Sequence, residues 1–119
     1  MWFNFDQNNS GGNFIVNDNV THRVIIEADS EEEAIEIGEN LGMYWDGCDI
    51  GVDCPCCGDR WYCAPSQIDK TKEGFSIEEY AQNLADSWGW CTPDIYIYYK
   101  NGKKTSIYSN KTSIYSNRI

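Results

Sequence analysis

The 119-residue chain predicts an α+β fold. The expected architecture is an antiparallel sheet of about five strands, in the order β-β-β-α-loop-α-β-β, with two helices packed on one face. Three observations carry this. Short runs rich in aromatic and β-branched residues lie near both ends of the chain. Two Ser-x-x-Glu capping boxes, Ser30 with Glu33 and Ser76 with Glu79, each open an apolar stripe at helical spacing. Between the helices lies a segment rich in Gly, Pro and Cys, too broken for either element.

Trp2-Phe3-Asn4-Phe5-Asp6 alternates as a first strand. The polar cluster Gln7-Asn8-Asn9-Ser10-Gly11-Gly12-Asn13 reads as a turn, and Phe14-Ile15-Val16 as a second strand that closes a hairpin over residues 2–16. Residues 22–28 form a third strand, placed centrally because Val24-Ile25-Ile26 is continuously apolar. In the first helix Ala34, Ile37, Gly38 and Leu41 make the buried stripe. Glu32, Glu36 and Glu39 face water, and Gly42 ends the helix.

Residues 64–75 read as a polar connector. Ile77, Tyr80, Ala81, Leu84, Ala85 and Trp88 then repeat at helical spacing up to Gly89. Residues 94–100 alternate as a strand, Asn101-Gly102 reads as a type I′ turn, and residues 103–108 return as the partner strand. The heptapeptide Lys104-Thr105-Ser106-Ile107-Tyr108-Ser109-Asn110 recurs unchanged at residues 111–117. Seven is odd, so a second copy in one continuous strand would face the opposite way. The organisation expected is a domain over 1–103 and a tandem-repeat extension over 104–119.

Charge is unevenly spread. Residues 1–60 hold thirteen acidic and two basic side chains, whereas residues 61–119 hold six and seven. An acidic chain repels phosphate, which disfavours direct nucleic-acid binding. It leaves open a binder of basic protein surfaces, or simply a well-solvated face. The opening residues lack a basic segment and an apolar core, so no signal peptide is expected, and no apolar run reaches membrane-spanning length. The expected compartment is therefore reducing, where six cysteines point to free thiols or metal before disulfides.

The segment Asp53-Cys54-Pro55-Cys56-Cys57-Gly58-Asp59-Arg60-Trp61 supports three readings. As zinc chemistry, Cys54-Pro55-Cys56-Cys57-Gly58 is one C-P-x-C-G knuckle. It is half of a tetrahedral site, to be completed by scattered singles among His22, Cys48, Cys63 and Cys91. As thiol chemistry, it lacks the following helix start that lowers a thiol pKa, and the only histidine for a nucleophile pair is His22. As a binding loop, Arg60 offers a planar fork for phosphate, Trp61 a stacking face and Asp59 an orienting carboxylate. The Asn8-Asn9-Ser10-Gly11 turn would add backbone donors. Against that stands a local Asp59–Arg60 ion pair with Trp61 in the core.

At these residues the sequence resembles a family of small tailed-bacteriophage proteins. The likeness rests on Met1-Trp2-Phe3, the Gln7-to-Gly12 turn, Thr21-His22-Arg23 leading to Ile26-Glu27-Ala28, and Asp53 through Trp61. It extends through the second helix to Tyr98-Tyr99-Lys100-Asn101-Gly102, nearly the whole chain except the repeated tail. The resemblance brings no activity, but it implies a non-virion protein made inside an infected bacterium. Cys48, Cys63 and Cys91 lie outside its pattern, which leaves Cys54, Cys56, Cys57 and His22 as the zinc candidates. The expectation is a non-enzymatic accessory protein of the host cytoplasm that counters a host defence by sequestering a small nucleotide-like signal. The alternatives are an acidic blocker of a host protein and a small zinc-stabilised interaction module. Homo-oligomerisation stays open.

Overall fold

The computed structural model describes residues 1–8, 10–12, 14–68, 74–88 and 94–109, with the side chain of Trp88 left aside. Asn9, Cys91, Gly89 and the second heptapeptide copy lie outside the described residues. The strands are β1 (Trp2–Asp6), β2 (Arg23–Glu27), β3 (Ser66–Ile68), β4 (Ile95–Tyr98) and β5 (Lys104–Ile107). The helices are α1 (Glu31–Asn40) and α2 (Ile77–Trp88), and Ser10–Gly12 forms one 3-10 turn.

The fold is α+β, with a five-stranded sheet of order β3-β1-β2-β4-β5. Its pairings are antiparallel except β2 with β4, which is parallel and sets Ile26 opposite Tyr98. The continuous Val24-Ile25-Ile26 run is indeed central, between β1 and β4.

Two of the expected strand assignments change. Phe14-Ile15-Val16 is not a strand. Both edges of β1 are taken, one by β2 and the other by β3, so a strand after the first turn has no open edge to join. The segment is instead tied by one side chain: Gln7 Nε2 donates to the carbonyls of Ile15 (3.0 Å) and Thr21 (2.9 Å), and the Ile15 N–H donates to Gln7 Oε1 (2.6 Å). The missing strand comes from the expected connector, as β3. The five-strand count survives with a different membership.

The helices do not share a face. Along β2, Val24 and Ile26 pack with Phe3, Phe5, Ala34, Met43 and Trp61 on the α1 side. Ile25 packs with Trp2, Ile97, Ile77, Ala81 and Ala85 on the α2 side. Successive strand residues point to opposite faces, so the unbroken apolar run already required cover on both. The sheet is sandwiched, one helix per side.

Both helix starts are capped as the sequence reads. The Glu33 N–H donates to Ser30 Oγ (3.1 Å) and that of Glu79 to Ser76 Oγ (3.3 Å). The reciprocal Glu33 carboxylate takes the Asp29 N–H (3.2 Å) rather than that of Ser30. At the end of α1 the Met43 N–H reaches the Gly38 carbonyl (3.0 Å) and the Gly42 N–H that of Glu39 (3.1 Å), a Schellman motif.

The last hairpin differs from a two-residue type I′ turn. The Gly102 N–H donates to the Tyr99 carbonyl (2.9 Å) and the Tyr99 N–H to that of Lys103 (2.9 Å). Only Gly102 takes a positive φ, +90°, at the turn. This is a three-residue loop that ends in a left-handed glycine. The first heptapeptide copy supplies β5, and Ser109 beyond it is buried, its N–H donating to Asp94 Oδ2 (2.8 Å). The boundary expected after residue 103 therefore moves: that copy belongs to the domain.

Ile25 and Ile26 are both fully buried, on opposite faces. Ile25→Ala and Ile26→Ala should each cost about 2–5 kcal/mol in urea denaturation. With helices on one face only, one of these neighbours would be nearly silent.

Candidate functional site

The central segment is built around a buried carboxylate. Asp53, with its side chain 1% exposed, accepts the Tyr44 hydroxyl on Oδ1 (2.8 Å) and the Arg60 N–H on Oδ2 (2.8 Å). Arg60 Nε lies 3.8 Å from Oδ1. The same guanidinium donates to Gln7 Oε1 (2.9 Å) and to the Ser10 carbonyl (2.8 Å). The loop folds this tightly only because residue 47 has no side chain: a Cβ on Gly47 would sit 1.8 Å from Asp53 Oδ2.

The sequence-selected residues do come together. The Cys54 N–H donates to Ser10 Oγ (2.9 Å), and Asn8 Nδ2 donates to the carbonyls of Cys57 (2.7 Å) and Asp59 (3.2 Å). The turn and the cysteine segment thus form one structure. Their chemistry faces inward, however. Arg60 spends its fork on Gln7, Ser10 and Asp53, and Trp61 is 1% exposed in the α1-side core. Asp59 does not pair with Arg60; it accepts the Cys48 N–H (2.9 Å). Gly11 is exposed, and Asn9 lies outside the described residues.

The cysteines form the turn of a knuckle. N–H groups of Cys57 and Gly58 reach the Cys54 carbonyl (3.1 Å each), and Gly58 has φ +87°. Backbone donors of Cys56 and then Cys57 hold the Cys54 thiol below the usual range. Burial and Asp59 push Cys48 up to about 11. Cys56 and Cys57 are exposed. Among the described residues no three His, Cys, Asp or Glu side chains gather into a group that could hold a metal ion. His22 packs its ring against Phe14, with centroids 4.4 Å apart.

A different surface lies beside this segment. Glu31, Glu32, Glu36 and Glu39 of α1 are exposed. Burial first, and then the negative charge of Glu39, Glu31 and Asp46, push the Cys63 thiol upward. Ile50, Val52 and Tyr62 on the same loop are 62%, 61% and 53% exposed. Among the described residues the ion pairs are Arg23–Asp6, Arg60–Asp53 and Lys100–Asp29, so none neutralises an α1 glutamate. The helix glutamates were legible as a solvated face; the exposure of Ile50, Val52 and Tyr62 was not. A second feature the sequence did not reveal is a cleft of about 360 Å³ between α1 and the ends of β2 and β4.

With this geometry in view, the comparisons place the chain. A family model described as a domain of unknown function, DUF7296, matches residues 1–116. The chain belongs to that family. No curated protein and no solved structure matches it. No helix among the described residues is long and apolar enough to cross a membrane.

Arg60→Ala would leave the buried Asp53 carboxylate without its counter-charge and remove one donor each from Gln7 Oε1 and the Ser10 carbonyl. It should cost about 3–5 kcal/mol in urea denaturation, without any ligand present. A second outcome concerns pH. Burial and then Arg23 hold the His22 imidazole below its ordinary 6.5, outweighing Asp94 and Asp6. The fold favours neutral imidazole, so the unfolded chain takes up the proton first as pH falls through 6.5. Stability should decline as pH falls through 6.5, and His22→Gln should flatten part of that slope in urea midpoints.

Proposed function

We propose that the chain is a non-catalytic accessory protein of phage type. In this reading it works in the cytoplasm of the infected bacterium, where it binds and blocks a basic surface of a host protein, in the manner of a counter-defence factor. One observation carries the reading: Glu31, Glu32, Glu36 and Glu39 of α1 and Ile50, Val52 and Tyr62 of the central segment are all exposed, and no cation of the described residues pairs with those glutamates. An exposed aromatic and aliphatic patch beside unneutralised carboxylates is the composition of an interface that steers in a basic partner and then desolvates a small apolar centre. The phage setting rests on the resemblance of the sequence.

Capture of a nucleotide-like signal by Asp59, Arg60, Trp61 and the Asn8-to-Gly11 turn is less well supported. It needs the Arg60 guanidinium to leave Gln7, Ser10 and Asp53, and Trp61 to leave the core. A zinc-stabilised module would need ligands from beyond the Cys54-to-Cys57 turn.

The test is affinity purification from a bacterial lysate with wild type and with a Glu32→Lys, Glu36→Lys, Glu39→Lys triple variant. The expected result is a basic protein retained by wild type, released as salt is raised and bound at least tenfold more weakly by the triple variant, whose melting temperature matches wild type. Salt-insensitive retention equal for both would overturn the reading. So would a nucleotide-induced thermal shift of wild type that Arg60→Ala abolishes, which would restore the small-ligand alternative.

A further inference from the structure

The turn from Cys54 to Gly58 has the form that grips a soft metal ion. The Cys57 and Gly58 N–H groups both return to the Cys54 carbonyl (3.1 Å each), and Gly58 takes φ +87°, where a residue without Cβ is favoured. The N–H groups of Cys56 and Cys57 are directed at the Cys54 sulfur, and the Cys57 thiol lies within hydrogen-bonding reach of it. Cys54 and Cys57 therefore present their sulfurs on one side of the turn. The turn is also fixed from outside: the Cys54 N–H donates to Ser10 Oγ (2.9 Å), and Asn8 Nδ2 donates to the Cys57 carbonyl (2.7 Å). Two thiols at C-x-x-C spacing with a following glycine make one half of a tetrahedral sulfur site, held in shape before any ion arrives.

Among the described residues the chain does not close that site on itself. Cys48 turns its Sγ to the Cys54 carbonyl (3.4 Å), and the His22 ring packs against Phe14. Cys56 also approaches the Cys54 sulfur, yet with Cys57 it makes no three-sulfur group that could hold an ion. Cys56 and Cys57 are exposed, so the open side of the turn is reachable from outside the molecule. A second copy of this chain presents the same pair of sulfurs in the same geometry. Two such turns, related by a two-fold axis through the ion, complete a tetrahedron. Each copy carries a net charge of −10, so without a shared cation the two surfaces repel.

From this arrangement we infer that Cys54 and Cys57 of two copies share one soft divalent cation, zinc by preference, and that the ion joins the copies into a dimer. Thiolate sulfur selects zinc over the hard cations calcium and magnesium, and a tetrahedral all-sulfur set matches its usual structural geometry. As each sulfur binds the ion its thiol proton passes to solvent, and no electron is transferred. The backbone N–H groups at the Cys54 sulfur favour its thiolate and so ease the exchange. The site uses none of the exposed α1 glutamates.

The test uses the whole chain, reduced and freed of metal by chelation, and titrated with cobalt(II) chloride and then zinc chloride. Visible absorption reads the coordination of cobalt, and native mass spectrometry with sedimentation velocity counts chains and ions. The expected result is the absorption of tetrahedral cobalt on thiolates, saturating at one ion per two chains as monomer becomes dimer. Zinc should then bleach the colour and keep the dimer, and excess chelator should return the monomer. Cys57→Ser, at an exposed position, should keep the circular dichroism of wild type and weaken metal binding at least tenfold. Cys56→Ser should bind and dimerise as wild type does, and so should a Cys48→Ser, Cys63→Ser, Cys91→Ser triple variant. The inference is overturned if no thiolate absorption appears, if the ion saturates at one per chain without a dimer, or if the dimer survives chelation. It is equally overturned if Cys57→Ser binds as wild type does, or if Cys56→Ser or the triple variant loses binding.

Discussion

The buried pair of Asp53 and Arg60 is the constraint on which the irregular half of the molecule depends. Around it four stretches of chain meet: Gln7 at the end of β1, the Ser10 turn, Tyr44 after α1, and the cysteine segment itself. None of these has enough regular backbone pairing to fix its own conformation. A buried ion pair adds little net stability compared with an apolar substitute, but it is intolerant of losing either partner. That asymmetry suits a loop which must take one shape. Gly47 is the steric counterpart of the pair, since only a residue without Cβ lets the chain close over the carboxylate.

The consequence for function is a division of labour. Side chains that look like ligand binders in the sequence are used to build the loop, and the surface left over is acidic and partly apolar. Arg60 and Trp61 fix the chain just before Tyr62 and Cys63, the one at Asp53 and the other in the α1-side core. The same logic separates the two outward-facing features. The glutamates on the solvent side of α1 face water, whereas Glu33 and Ile37, one turn apart on its flank, line the cleft at the ends of β2 and β4. One short helix thus contributes to two surfaces of different chemistry.

Much of the fold was legible. Both capping boxes, the Gly42 stop, the stripe of Ala34 and Gly38, the central position of residues 24–26 and the final hairpin are local signals, and the structure carries each. What was misread involves competition between distant segments. Phe14-Ile15-Val16 has strand-like residues, but β3 takes the edge it would need. Ser66-Gln67-Ile68 has weak propensity and is a strand because β1 offers that edge. In the central segment the sequence set the Asn8-to-Gly11 turn beside Asp59, Arg60 and Trp61 as a binding loop; it did not show that Arg60 turns inward onto Asp53, Gln7 and Ser10.

The sequence by itself determined the class of fold, the helix limits, the acidic first half and the identity of the segment that is neither helix nor strand. These follow from backbone propensity, hydrophobic period and charge, which act within a few residues. Only the tertiary structure decided that the helices take opposite faces, that β2 and β4 run parallel with a cleft at their ends, and that Arg60 is turned inward. Each of these depends on which partner wins a strand edge or a buried carboxylate, and that competition is settled between residues as far apart as Gln7 and Arg60, or Ile26 and Tyr98.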